Sequence, residues 1–138
     1  MSFVNPSDAT IKTYLKEAKN IAIVGLSNKP DRTSYQIAEL LQQKGYTIFP
    51  VNPMIAGQTV LNEKVYASLM EVPEKIDIVD IFRRSDALPE IAEDFVKTDA
   101  EVFWAQLGIE SDEAATYLQN HNRNDIVMNR CIKIELNK

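Results

Sequence analysis

Ile21-Ala-Ile-Val-Gly-Leu-Ser-Asn-Lys-Pro-Asp-Arg-Thr-Ser34, then an amphipathic stretch, then Lys44-Gly-Tyr-Thr-Ile-Phe-Pro-Val-Asn-Pro53, decides the fold of this chain. Ile21 to Val24 is a short, unbroken apolar run, the pattern of a strand covered on both faces. Gly25 ends it and lets the backbone turn sharply. Ile37, Leu40, Leu41 and Lys44 then recur at helical spacing. Gly45 stands where a helix end wants a positive φ. Tyr46 to Val51 reads as a second strand, stopped by Pro53.

The same alternation runs outward in both directions. Ile11, Tyr14, Leu15 and Ala18 predict a helix before the first strand. Val65, Leu69 and Val72 predict a short helix ended by Pro73, and Ile76 to Phe82 a third strand. Leu88, Ile91, Ala92, Phe95 and Val96 form the clearest helical stripe, with Ser85 or Asp86 as its cap and Pro89 in its first turn. Glu101 to Ala105 is a fourth strand, Ser111 caps a helix through about His121, and Ile126 to Met128 is a fifth strand. The tail from Cys131 to Leu136 alternates apolar and polar residues, as a further strand or a docked segment would. Asn52 to Asn62 is the one loose stretch, with Gly57 as its turn. Alternating β and α elements with two-sided apolar strands predict an α/β, three-layer fold: a mostly parallel sheet of about five strands flanked by helices. We read residues 1–138 as one domain, a length sufficient for a real core.

Composition narrows the function. Hydrophobic residues make up 45% and charged residues 25%, with a net charge of -5. That balance argues against broad binding to nucleic acid or anionic membrane. No apolar run is long enough to span a bilayer, and no signal-peptide core precedes Asn20. One cysteine, Cys131, leaves no internal disulfide and no Cys-rich metal site. These absences together predict a cytoplasmic protein; the net charge leaves room for one anionic small molecule, which needs only a local cluster of donors.

Ligands of such sheets bind at the carboxyl ends of the strands. At the first of these, Gly25, Ser27 and Asn28 offer backbone and polar groups, and Lys29 and Arg32 offer positive charge. Thr33-Ser-Tyr-Gln36 matches a capping box, which places a helix N-terminus there, and helix N-termini favour anions. An ordinary βα turn with two solvated cations fits the loop equally well. The dinucleotide fingerprint is absent: its later glycine positions hold Ser27 and Pro30, and the second strand ends in Asn52-Pro53 with no acid for a ribose. A P-loop is also absent. Phe82-Arg83-Arg84 puts an aromatic ring and guanidiniums at another strand end, where base stacking and phosphate pairing compete with a plain surface loop. Trp104 reads as a core or cleft-wall aromatic, Asp77 and Asp80 as edge or strand-end acids, and His121 as a solvated residue near a helix end. We find no metal-ligand spacing and no catalytic constellation. Cys131, between Arg130 and Lys133, is read first as a packed residue and second as a thiol of lowered pKa.

Several motifs occur in an order that matches one family. They are Gly25-Leu-Ser27 with Pro30, Arg32 and Ser34; Gly45-Tyr46; Pro50-Val-Asn-Pro53; Tyr66-x-Ser-Leu69; Asp77-x-Val-Asp-x-Phe-Arg83; Trp104-x-Gln-Leu-Gly108; Glu113-Ala-Ala115; and Arg130-Cys-x-Lys-Ile-Glu135. The chain resembles the stand-alone CoA-binding domain proteins, which are similar in turn to the N-terminal domain of the succinyl-CoA synthetase α subunit. The resemblance implies a Rossmann-like fold that binds coenzyme A or an acyl-CoA. By position, Gly25, Leu26 and Ser27 would face the phosphates, with Lys29 nearby and Arg32 and Ser34 approaching from the helix start. Val51, Asn52 and Pro53 would line the adenosine side, Phe82 and Arg83 the opposite wall, and Gln106 the pantetheine arm. A 3′-phosphate on the ligand would account for the missing ribose acid. The chain departs from the family at Leu26, Thr33, Asn129 and Leu136, where Ala, Pro, Asp and His are common. The synthetase's phosphorylated histidine lies in a domain this sequence does not contain, so ligase activity is not carried over. The alternative function is an enzyme using an NAD(P)-type nucleotide in the same cleft.

Overall fold

The computed structural model describes residues 3–138. The elements run α1 (Asp8–Glu17), β1 (Asn20–Val24), α2 (Thr33–Gln43), β2 (Thr47–Val51), β3 (Thr59–Val60), β4 (Glu63–Lys64), β5 (Ile78–Ile81), α3 (Leu88–Val96), β6 (Val102–Ala105), α4 (Asp112–Asn120), β7 (Ile126–Val127) and α5 (Ile132–Leu136). Five strands form one sheet in the order β2-β1-β5-β6-β7, every pair parallel. β3 and β4 make a separate antiparallel hairpin. This is the expected α/β, Rossmann-like arrangement. The chain steps from β1 out to β2, then returns past β1 to β5 and continues the other way. That reversal leaves a crevice between the carboxyl ends of β1 and β5, the place where open α/β sheets hold ligands.

Strand alternation divides the core into two layers. Ala22, Val24, Val79, Ile81, Phe103 and Ala105 face α3 and α4, whose Ile91, Ala92, Phe95, Ala115 and Leu118 are buried against them. Ile21, Ile23, Ile78, Trp104 and Val127 face α1, α2 and α5, meeting Ile11, Leu15, Ile37, Leu41 and Ile132. With helices on both sides, the strands need no polar face, which explains their continuous apolar sequence. Among the described residues no helix is long and apolar enough to cross a membrane.

Several local readings hold. Gly45 has φ +99° at the end of α2, and Ser111 Oγ accepts from Ala114 N at the start of α4. Others change. The segment of Val65, Leu69 and Val72 is not an α-helix: Tyr66 bridges to Val51 beside β2, and only a 3-10 turn, Leu69–Glu71, follows. The tail is α5, not a strand. It is tied to α1 by Arg130, which reaches Asp8 (3.2 Å) and Glu135 (3.4 Å). Asn52 to Asn62 is ordered by the Pro53–Ile55 turn and by part of the β3–β4 hairpin. Ser85 does not cap α3: a 3-10 turn, Ser85–Ala87, precedes that helix, and Ser85 Oγ accepts from Glu110 N instead.

Asp77 and Asp80 differ sharply. Asp77 accepts from Lys19 N and Asn20 N and so anchors the start of β1. Asp80 lies in the central strand between Ile23 and Trp104, fully buried, with neither carboxylate oxygen partnered. It is no edge acid. Burial holds its carboxyl well above the ordinary value of 3.8.

Candidate ligand cleft at the switch point

Gly25 stands at the reversal itself. Its N–H donates to Val51 O at 2.8 Å, and the next strand over is locked by Phe82 N donating to Val24 O at 2.8 Å. Gly25 has φ +87°, and a Cβ there would lie 2.6 Å from the Phe82 carbonyl oxygen and 3.1 Å from Arg83 Cδ. The single glycine is therefore demanded twice, by its dihedral and by the close approach of β5's end.

The loop that follows is braced from within. Ser27 N donates to Ser34 Oγ at 3.0 Å, and Lys29 N donates to Ser27 Oγ at 3.1 Å. Ser34 is buried, so its hydroxyl holds the loop against the first turn of α2. The capping box does not form: α2 starts at Thr33, its N-cap is Arg32, and no side chain accepts from its first turn. This end of an eleven-residue helix keeps its orphan N–H groups and its partial positive charge against the loop at Ser27. Lys29 and Arg32 are exposed next to it.

Leu26 is wholly buried in the α2 layer, so it can meet a ligand only through its backbone. Asn52 is a clip. Its Nδ2 donates to Leu26 O at 3.0 Å and its Oδ1 accepts from Met54 N at 3.0 Å, joining the loop after β1 to the turn after β2.

Phe82 and Arg83 do not form one wall. Phe82 packs against the α1–α2–α5 layer, whereas Arg83 lines a cavity of about 200 Å³ on the α3 side. Val51 and Pro53 line that cavity too. Sequence reasoning missed its other walls: Ala67, Ser68 and Leu69 from the segment after β4, and Ala87, Glu90, Ile91 and Asp94 from α3. The i, i+3, i+4, i+7 spacing of that last group was legible as one helix face. Gln106 sits apart from the cavity. It is buried, and its Oε1 accepts from Ile132 N at 3.1 Å, which satisfies a donor at the start of α5. Trp104 is a core residue whose Nε1 donates to Arg130 O at 2.8 Å. The Cys131 thiol is half-buried against the same layer. His121 is exposed at the end of α4, its ring against Tyr117.

Comparison with known proteins adds the family. The chain is 48% identical over 130 residues to the uncharacterized protein YneT of Bacillus subtilis, covering 94% of each. It is 33% identical over 81 residues to the α subunit of acetate–CoA ligase (ADP-forming) I of Pyrococcus furiosus; the match takes in 55% of this chain but only 17% of that protein. A solved structure of a Thermus thermophilus protein superposes with a TM-score of 0.90 at 30% identity, covering 96% of this chain and 98% of that one. A hypothetical protein of Pyrococcus horikoshii OT3 gives 0.89 at 33% identity, with 99% and 97% covered. The match to the CoA binding domain model runs over residues 19–137 and so takes in every strand of the parallel sheet and both sides of its switch point; the chain belongs to that family.

Proposed function

We propose that this protein binds coenzyme A, free or acylated, across the carboxyl ends of β1, β2 and β5. One observation carries the reading: the N-terminus of α2 has no side-chain cap and opens onto the loop that follows Gly25, where Ser27 N donates to Ser34 Oγ at 3.0 Å. Uncapped N–H groups and the helix dipole suit a diphosphate. Lys29 and Arg32 add charge at the rim. The adenosine would occupy the cavity between Val51, Pro53 and Arg83, with the Arg83 guanidinium on a phosphate. The pantetheine arm would pass over Gly25 toward Phe82 and Gln106.

The NAD(P) alternative is disfavoured by Asn52. A dinucleotide site needs an acceptor for the ribose hydroxyls at the end of the second strand. Asn52 is neutral, and its amide oxygen and nitrogen are both engaged within the protein. The test is a thermal-shift panel of CoA, acetyl-CoA, dephospho-CoA, NAD, NADP and ATP. A ligand at one hundred times its Kd adds about 2.7 kcal/mol of stability. A shift with CoA that weakens for dephospho-CoA supports the reading. A shift with NAD or NADP and none with CoA refutes it.

A further inference from the structure

The cavity on the α3 side carries two carboxylates that phosphate binding does not use. Glu90 and Asp94 lie one helical turn apart on α3 and line it together with Arg83. Neither joins an ion pair among the described residues, although that guanidinium shares the cavity. Asp94 is half-buried there, and burial, aided by Glu90 and Glu93 against the opposing Lys97, raises its carboxyl above the ordinary range. A partly buried carboxyl with no side-chain partner gains from a hydrogen-bond donor. Apolar walls face it: Val51 and Leu69 on one side, Ile91 on the other. With Ser68, Arg83 and the two carboxylates the lining is at least as polar as it is apolar, and apolar walls with convergent polar groups suit a heterocyclic base. The same carboxylates repel phosphate, so an anionic ligand must enter base first and leave its phosphates near Arg83 and the Gly25 loop.

We propose that Glu90 and Asp94 are specificity-determining residues that accept hydrogen bonds from the amino group of a base held between Val51, Leu69 and Ile91. The site then selects an amino-substituted purine over the same ligand without that amine. This rests on the CoA reading, in which the base is adenine.

The experiment measures Kd by calorimetry for CoA, for the CoA analogue whose base is unsubstituted purine, and for 4′-phosphopantetheine, which has no base. Wild-type protein is expected to bind CoA at least tenfold tighter than the purine analogue. Asp94→Ala, and separately Glu90→Ala, should weaken CoA by severalfold to tenfold and bring the ratio toward one, while binding of 4′-phosphopantetheine stays unchanged. Equal affinity of the wild-type protein for CoA and the purine analogue overturns the proposal without any variant. A ratio that survives both substitutions overturns it too. If CoA does not bind wild-type protein at all, the CoA reading fails; if it binds with no preference for the amine, only the assignment of Glu90 and Asp94 fails.

Discussion

Asp80→Asn should remove a pH-dependent weakness from the centre of the sheet. Asp80 is fully buried between Ile23 and Trp104, and both its oxygens lack partners. Burial raises its folded-state pKa far above 3.8. In the unfolded chain the group ionises near the ordinary value, whereas in the folded protein it keeps its proton. Above about pH 4 the folded state therefore binds more protons than the unfolded state, and stability falls as pH rises, until the folded pKa is reached. Within that window Asp80 alone contributes a loss of about 1.4 kcal/mol per pH unit. Each pH unit within that window amounts to a fall of about 3–5 °C in Tm for a domain of this size. The asparagine side chain cannot ionise and occupies nearly the same volume, so the slope should vanish while the packing stays. The assay is thermal unfolding by circular dichroism from pH 4.5 to 7, with the variant subtracted from wild type to cancel every other titration. Parallel curves, or a variant less stable than wild type at pH 7, would refute the argument.

Gly25→Ala should cost about 2–5 kcal/mol, since a left-handed dihedral and a backbone overlap are imposed together; chemical denaturation reads the loss, and a cost under about 1 kcal/mol would show that β1 and β5 can separate freely. Asn52→Asp should destabilise by about 1–3 kcal/mol, because a carboxylate cannot donate to the Leu26 carbonyl that Asn52 now serves; urea unfolding at pH 7 measures it. Arg83→Ala should leave Tm within about 1 °C, as expected for an exposed side chain outside the core, while weakening CoA binding; unchanged affinity by calorimetry would remove Arg83 from the proposed site.

Much of the architecture was legible because the sheet is covered on both sides. Ile21 to Val24 and Ile78 to Ile81 could be read as strands since no polar face interrupts them. Gly45 and Ser111 marked helix ends by requirements that act within a few residues. The failures came where a long-range partner decides. Val65 and Leu69 stand four apart like helix neighbours, but Tyr66 N donates to Pro50 O and its carbonyl accepts from Asn52 N, which draws the segment alongside β2. In the tail, Ile132, Ile134 and Leu136 alternate like a strand. The helix buries Ile132 and exposes Ile134, and five residues are too few for either period to declare itself. Asp80 is missed for a different reason: a lone acid in an apolar run is normally read as an end of the run, not its middle.

The candidate site was legible as a set of strand ends but not as a shape. Phe82 and Arg83 are adjacent in sequence, and alternation sends them to opposite faces of the sheet. The strand ends are thereby split into an α2 side, with the helix N-terminus and Gln106 nearby, and an α3 side with the cavity of Val51, Arg83 and Asp94. A ligand whose phosphates rest on α2 and whose base lies against α3 must cross the sheet edge between them. In the proposed binding mode it would cross at Gly25, where a hypothetical Cβ would lie 2.6 Å from the Phe82 carbonyl oxygen. The backbone of β1 can pack that closely on the end of β5 only without a side chain. The glycine at position 25 thus answers a contact within the protein, with the Phe82 carbonyl and the Arg83 side chain, together with its φ of +87°.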